Sequence, residues 1–302
     1  MHRVGRIEDE PDVGAAYEAI GRHSRARIER LLPADWSWEG KRVLDFGCGA
    51  GRTLRHFLDE AERVEFHGCD IDGPSIAWLR DHFSPPLHVF ESGELPSLPQ
   101  PDGFFDLSYA LSVFTHLADH WAGWLLELHR VLKPGGLLFA TFLNEPFWPI
   151  YGHGEWDEDR IGMNVVKKWN PWDEGGPIVF HSEWWIREHW GRAFEVEFLE
   201  RNDPAEAPQG QGATLLRRRE ERPTVEELER AADDPRELAA ALHNVKQLHR
   251  EADELAAAAH HAAPRPEVER LRAELDTIAG SRSWRLTAPF RSATALLRKR
   301  GG

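Results

Sequence analysis

The clearest chemistry in this 302-residue chain lies in Asp45-Phe46-Gly47-Cys48-Gly49-Ala50-Gly51-Arg52. An apolar run ends there, glycines turn the chain, and a helix is expected from near Arg52. Glycine reaches positive φ and lets a ligand approach the backbone closely, while free amides at a helix start receive anions. A dinucleotide loop would want its third glycine at position 52, where this chain has arginine. Instead the glycines alternate at 47, 49 and 51, with the Asp45 carboxylate two residues ahead of the first. That arrangement suits a ligand carrying a cationic amino-acid group. Further on, Asp70 closes a second apolar run, and a carboxylate can accept from two vicinal hydroxyls at once. Asp72 is read as the cap of the helix that holds Ile76 and Leu79. The bland alternative is a strand–turn–helix corner with no ligand.

Positioning these groups requires strands, and residues 41–143 supply them. Short apolar or β-branched runs at 42–46, 64–68, 87–90, 105–109 and 136–142 alternate with helix-like stretches. Such alternation indicates βαβ units and a parallel sheet covered on both faces. Ahead of it, residues 12–32 have helical spacing through Val13, Tyr17, Ile20, Ile28 and Leu31, giving an N-terminal cover over 1–40. Residues 144–180 are rich in Trp, Gly, Pro and Asp without a period, and are read as an insertion after the fifth strand. A helix over 182–194 then precedes strands at 195–199 and 213–216, which are expected to pair antiparallel. The fold class is therefore α/β, a Rossmann-like, mostly parallel seven-stranded sheet with an antiparallel last strand and a C-terminal helical extension. The main domain is bounded at 41–219, with the substrate-side insertion at 144–185.

These residues resemble the class I S-adenosylmethionine-dependent methyltransferases, whose first motif has the form (D/E)-x-G-x-G-x-G. Asp45, Gly47, Gly49 and Gly51 match it, Asp70 falls where the family places an acid on the ribose hydroxyls, and the resemblance covers about residues 40–217. It implies S-adenosyl-L-methionine as cofactor. The implied site adds Ile71 after the second strand, Ser92, Gly93 and Glu94 after the third, and Ser112 after the fourth. One departure stands out: the acid that often contacts the adenine amino group aligns with Ser92, flanked by Glu91 and Glu94.

Methyl transfer to a hydroxyl needs the acceptor held in line and its proton removed. Past the fourth strand the chain reads Ala110-Leu111-Ser112-Val113-Phe114-Thr115-His116-Leu117, without the Asn/Asp-Pro-Pro-aromatic motif of many amine and base methyltransferases. That points toward oxygen. His116 is a candidate base, since imidazole titrates near pH 6.5, or else an anchor for the next helix. His181 is a second candidate, for substrate contact or base, or a simple neighbour of a Ser182 cap. Rival bases in the insertion are His153, Glu155, Asp157 and Asp173. Of the seven tryptophans between 148 and 190, Trp148, Trp156, Trp169 and Trp172 could wall a pocket or fill core, whereas Trp184, Trp185 and Trp190 read as core. Asp157-Glu158-Asp159 is acidic, but adjacent acids fan outward, and no metal is expected. Cys48 and Cys69 read as small buried fillers, and two such cysteines indicate a reducing, cytoplasmic setting.

Charge narrows the acceptor. The chain carries −14, of which −13 falls in residues 1–219, and an acidic domain repels a phosphate backbone; nucleic acid is not the expected partner. The first residues lack the apolar core of a secretion signal, and no apolar run approaches the ~18 residues of a membrane span. Composition changes at Arg217-Arg218-Arg219. Beyond it, Leu238, Val245, Ala252 and Ala259 with Ala241, Leu248 and Leu255 form an a/d seam, so that 220–280 reads as a helical segment and 225–278 as a site of homo-oligomer pairing. Residues 281–302 carry +6 with Trp284 and Phe290, a basic amphipathic end suited to the inner face of the plasma membrane. Ser281 to Arg291 also resembles a short C-terminal motif of bacterial surface-polysaccharide enzymes. The expectation is O-methylation of a saccharide or glycan hydroxyl. A small-molecule natural product is the alternative acceptor, and an inactive coiled-coil scaffold the alternative role.

Overall fold

The computed structural model describes residues 12–171, 175–202 and 210–260, together with residues 270, 273 and 277. Within them, nine strands run β1 (Lys41–Phe46), β2 (Val64–Asp70), β3 (His88–Glu91), β4 (Phe105–Ala110), β5 (Leu132–Phe142), β6 (Met163–Val166), β7 (Ile178–His181), β8 (Phe194–Glu200) and β9 (Gly212–Arg218). Seven form one sheet in the order β3-β2-β1-β4-β5-β9-β8, and β6 and β7 form a separate pair. Strands β3, β2, β1, β4 and β5 are parallel. Strand β9 is antiparallel to both of its neighbours. This is the expected sheet. The ends of β1 and β2 are level, Asp45 opposite Gly68 and Phe46 opposite Cys69, which brings the two candidate acids to one edge.

Alternation along β1 explains the two layers. Val43 faces a core with Ile28, Phe57, Phe66, Ile76, Leu79 and Tyr109. Leu44 and Phe46 face another with Trp124, Leu125, Trp185 and Trp190. Helices α1 (Val13–Leu31) and α2 (Gly73–Phe83) contribute to the first. Helices α3 (Trp121–Val131), α5 (Glu183–His189) and α6 (Val225–Glu229) contribute to the second. The Asp12 carboxylate caps α1 by accepting from Ala15 N at 2.9 Å, and Ile28 pins the helix to the core. Arg27 then reaches Glu200 at the end of β8, at 2.9 Å. The segment after the glycine loop is a 3-10 helix, Leu54–Glu60, rather than an α-helix starting near Arg52.

The insertion has more order than its composition suggests. Around helix α4 (Trp148–Tyr151) it builds a third apolar cluster from Leu143, Phe147, Trp148, Ile161, Val166, Ile178 and Phe180. Strand β7 is clipped to the loop after β4, where Val179 N donates to Thr115 O at 2.7 Å, and to the end of β5, where His181 N donates to Leu143 O at 2.8 Å.

The chain divides into two compact units, 1–248 and 249–302. The composition change near residue 219 is thus not a structural boundary, because residues beyond it pack into the first unit. Leu228 is fully buried in the α3/α5 core. Thr224 and Glu227 form a reciprocal capping box on α6. The first turns of α7 (Arg236–His260) are fastened to α5 and the insertion. Glu237 pairs with the buried His189 at 3.1 Å, and the Arg236 guanidinium lies 5.0 Å from the Trp184 ring. Asn244 Oδ1 accepts from Val165 N at 3.0 Å and from Asn164 Nδ2 at 3.3 Å, closing the free edge of β6. The docked face is thus Glu237, Ala240 and Asn244, not the heptad seam, whose Leu238 remains 47% exposed. Residues 281–302 and most of 261–280 lie outside the described residues. Among the described residues no helix is long and apolar enough to cross a membrane.

Replacing Asn244 with Ala strands the Val165 amide, a loss of about 1–3 kcal/mol for a buried donor. Thermal unfolding followed by near-UV circular dichroism should show a lowered midpoint; an unchanged midpoint would contradict the docking of α7.

Candidate active site

The site begins with how β1 turns. Gly47 N and Cys48 N both donate to Cys69 O at the end of β2, at 2.8 and 2.9 Å. Gly49 N donates to Asp70 Oδ2 at 2.7 Å, and Asp72 N to Asp70 Oδ1 at 2.8 Å. The loop is therefore suspended from β2. Gly47 is required twice, by its φ of 81° and because a Cβ there would fall 2.3 Å from a Val113 methyl. Gly49, at φ 52°, is different: a Cβ built there meets nothing within 4 Å. Its open side is a cradle in which a ligand can reach bare backbone.

Asp45 and Asp70 occupy different environments. Asp45 is 2% exposed, beside Tyr109, which is opposite it in the sheet register. Burial lifts its pKa well above the usual carboxylate range; the Tyr109 hydroxyl opposes the shift and the Asp70 charge adds to it. Asp70 is half-buried and uses one lone pair of each oxygen on backbone amides, leaving acceptor capacity toward hydroxyls. Asp72 does stand at the N-cap of α2, although its carboxylate accepts from the Ser75 hydroxyl at 2.7 Å rather than from a backbone amide. Cys48 and Cys69 are buried, and burial pushes both thiols up.

Past β2 and β3 the same edge carries exposed apolar side chains, Ile71 at 40% and Leu95 at 68%, with Gly93 and Glu94 also exposed. Ser92 is buried and its N donates to Asp70 O at 2.9 Å. Apolar surface beside hydroxyl-accepting Asp70 suits an adenosine. The pattern thus fits S-adenosylmethionine: an open backbone face at Gly49, carboxylates at Asp45 and Asp70, and apolar contact at Ile71 and Leu95.

On the acceptor side, Ser112 follows β4 with φ of 58°, a left-handed conformation that costs a non-glycine residue of order 1–3 kcal/mol. A hydrogen-bond network holds it there. Ser112 N donates to Thr141 Oγ1 at 2.7 Å, Ser112 Oγ lies 3.2 Å from Thr115 Oγ1, and Gln211 Nε2 donates to Ser112 Oγ at 3.0 Å. His116 follows on this turn, half-buried, with Nδ1 2.7 Å from Pro177 O. A carbonyl only accepts, so Nδ1 carries a proton.

His181 sits elsewhere. Its ring is fully buried near Trp185 and Trp190, and burial together with His189 lowers its pKa to about 3. Neither ring nitrogen has a hydrogen-bond partner among the described residues. Ser182 is at the N-cap of α5, but its buried hydroxyl makes no capping bond. Trp184, Trp185 and Trp190 are core, as expected, and so is Trp148, whereas Trp156 is half-buried; Trp172 and Asp173 lie outside the described residues. The Asp157-Glu158-Asp159 acids diverge: Glu158 accepts from Trp156 Nε1 and Glu183 N, and Asp157 from Asp159 N. Tyr109, Thr115, Thr141 and Gln211 were not signalled by any motif; their roles come from register across β1, β4, β5 and β9.

Sheet order and glycine loop are those of the class I methyltransferase fold, and the loop's edge suits S-adenosylmethionine. Residues 43–136 match the family model described as a methyltransferase domain. The chain is 30% identical over 157 residues to phthiotriol/phenolphthiotriol dimycocerosates methyltransferase 1 of Mycobacterium ulcerans, covering 51% of this chain and 56% of that one. It is 29% identical to fatty-acid O-methyltransferase of Mycolicibacterium smegmatis, covering 50% and 54%. The chain thus spans about half the length of these curated relatives. In fold it is similar to an S-adenosylmethionine-dependent methyltransferase of Mesorhizobium loti, with a TM-score of 0.51 at 19% identity, covering 64% of this chain and 96% of that one.

Two outcomes test the cofactor seat. Asp70→Ala should weaken S-adenosylhomocysteine binding by about 1–3 kcal/mol, the scale of charge-assisted hydrogen bonds; calorimetry showing unchanged affinity would contradict the assignment. Because burial keeps Asp45 protonated above the ordinary carboxylate value, a ligand ammonium beside it should displace that proton, and affinity should rise as pH climbs toward the raised pKa. Titrations in buffers of different ionisation enthalpy should detect proton release that disappears in Asp45→Asn; equal release in both proteins would rule this out.

Proposed function

We propose that this protein transfers a methyl group to an oxygen, and that its acceptor is a saccharide or glycan hydroxyl. The observation that carries the oxygen assignment is His116, on the turn after β4, with Nδ1 held by Pro177 O. When bound, S-adenosylmethionine supplies a methyl group on a sulfonium, open to in-line attack. The remaining work falls to this chain. Nε2 of His116 takes the acceptor proton as the C–O bond forms, and Nδ1–H to Pro177 O stabilises the resulting imidazolium. The network around Ser112 fixes the turn that presents His116. His181, enclosed and neutral, serves as structure under this reading.

The saccharide assignment draws on the tryptophan-rich insertion and on the resemblance of residues 281–291 to C-terminal motifs of surface-polysaccharide enzymes. Contact of 281–302 with an anionic membrane surface and pairing through 225–278 belong to the same proposal and rest on sequence pattern. A second reading, a lipid or natural-product hydroxyl, is favoured by the names of the relatives, which act on phthiotriols and fatty acids.

His116→Asn should lower kcat for methyl transfer by roughly 10²–10⁴, with S-adenosylhomocysteine affinity unchanged. A kcat within a few fold of the parent would remove His116 as the base. Failure of the parent to bind the cofactor at all would favour the scaffold alternative.

A further inference from the structure

We propose that a cavity of about 640 Å³ roofed by the insertion is a glycosyl-binding subsite for a neutral, hydroxyl-rich sugar unit, with Trp156 as its stacking platform. The inference rests on the saccharide reading above and supplies a place for it. The cavity lies at the ends of β5 and β8, where Glu145 and Arg201 form one wall, and α7 completes it through His243. These strand ends are on the same edge of the sheet as the glycine loop.

Trp156 packs at the edge of the third apolar cluster, against Trp148 and Phe180, with one part of its ring left toward the cavity. Its indole N–H is committed to Glu158 at 3.0 Å, and its ring meets Trp148 edge-on, with centroids 5.5 Å apart at 76°. Ring orientation is therefore fixed, yet the side chain remains half-exposed in the cavity. A pre-oriented aromatic surface stacks on sugar C–H faces at little entropic cost.

Polar groups around it divide into frame and contact. Arg201 ties Glu145 to Glu183, and Glu158 is used by Trp156 and Glu183, so these hold the wall. Glu155, Asp157 and Arg160 stand nearer to solvent and offer both acceptors and donors to hydroxyls. Behind this wall the buried Asn144 donates its Nδ2 to Arg201 O at 2.6 Å, which fixes the backbone that carries Arg201.

The same lining argues against other ligands. Four carboxylates against two guanidiniums repel fatty-acid carboxylates and phosphates, and among the described lining residues Trp156 alone offers an apolar aromatic face to an acyl chain. A neutral polyol meets acceptors, donors and an aromatic plane together.

The test uses the full chain on an immobilised panel of neutral, amino and anionic glycans, with choline and a long-chain fatty acid as competing probes. Saturable binding to neutral glycans is expected, weakened about tenfold or more in Trp156→Ala and also reduced in Glu155→Gln, an exposed site whose change leaves the fold intact. S-adenosylhomocysteine affinity should be the same in all three proteins, which separates loss of the subsite from loss of folding. Binding of choline or the fatty acid alone, equal glycan binding by parent and both variants, or no glycan bound would each overturn the proposal. Glycan binding without methyl transfer would count against the proposed reaction and leave the subsite standing.

Discussion

The structure depends on a carbonyl and a carboxylate at the end of β2. Cys69 O and the Asp70 side chain together accept three amides of the glycine loop, which would otherwise be unsatisfied donors in a partly buried turn. The loop geometry is thereby set by a neighbouring strand before any ligand arrives. This is preorganisation of a practical kind: the cost of ordering three glycines is met in folding rather than in binding. Parallel pairing of β1 with β2, level at Asp45–Gly68, is what makes the suspension possible.

Everything on the acceptor side follows from a second anchoring, between the loop after β4 and the insertion. Val179 N to Thr115 O and His116 Nδ1 to Pro177 O join the two, so the insertion also fixes the candidate base. Helix α7 then fastens the insertion through Asn244 and Glu237. The glycine loop is held by β2, whereas His116 and the insertion hold one another, so the insertion can vary without disturbing the loop.

The main sheet was legible because parallel, doubly covered strands are apolar along their whole length and their helices are periodic. The seat was legible for another reason: Gly47 and Gly51 take positive φ and leave no room for a Cβ against Val113 and Leu79, a constraint that leaves a mark in the sequence. The insertion was not. Strands β6 and β7 are four residues each, too short to show alternation, and are ordered by contacts with Thr115, Leu143 and Asn244 that are distant in sequence. Heptad spacing in α7 was visible, but the face that docks is defined by Glu237, Ala240 and Asn244, and hydrophobic pattern does not identify a polar docking face. His181 looked like a candidate base by position alone; full burial, which no local pattern reports, separates it from His116.

The most direct test of the suspended glycine loop as a methyl-donor seat is a crystal structure of the protein grown with S-adenosylhomocysteine. The account predicts density at the open side of Gly49, with ribose hydroxyls on Asp70 and the base against Ile71. A ligand bound elsewhere, or a cleft that stays empty at saturating ligand with the loop unchanged, would contradict it.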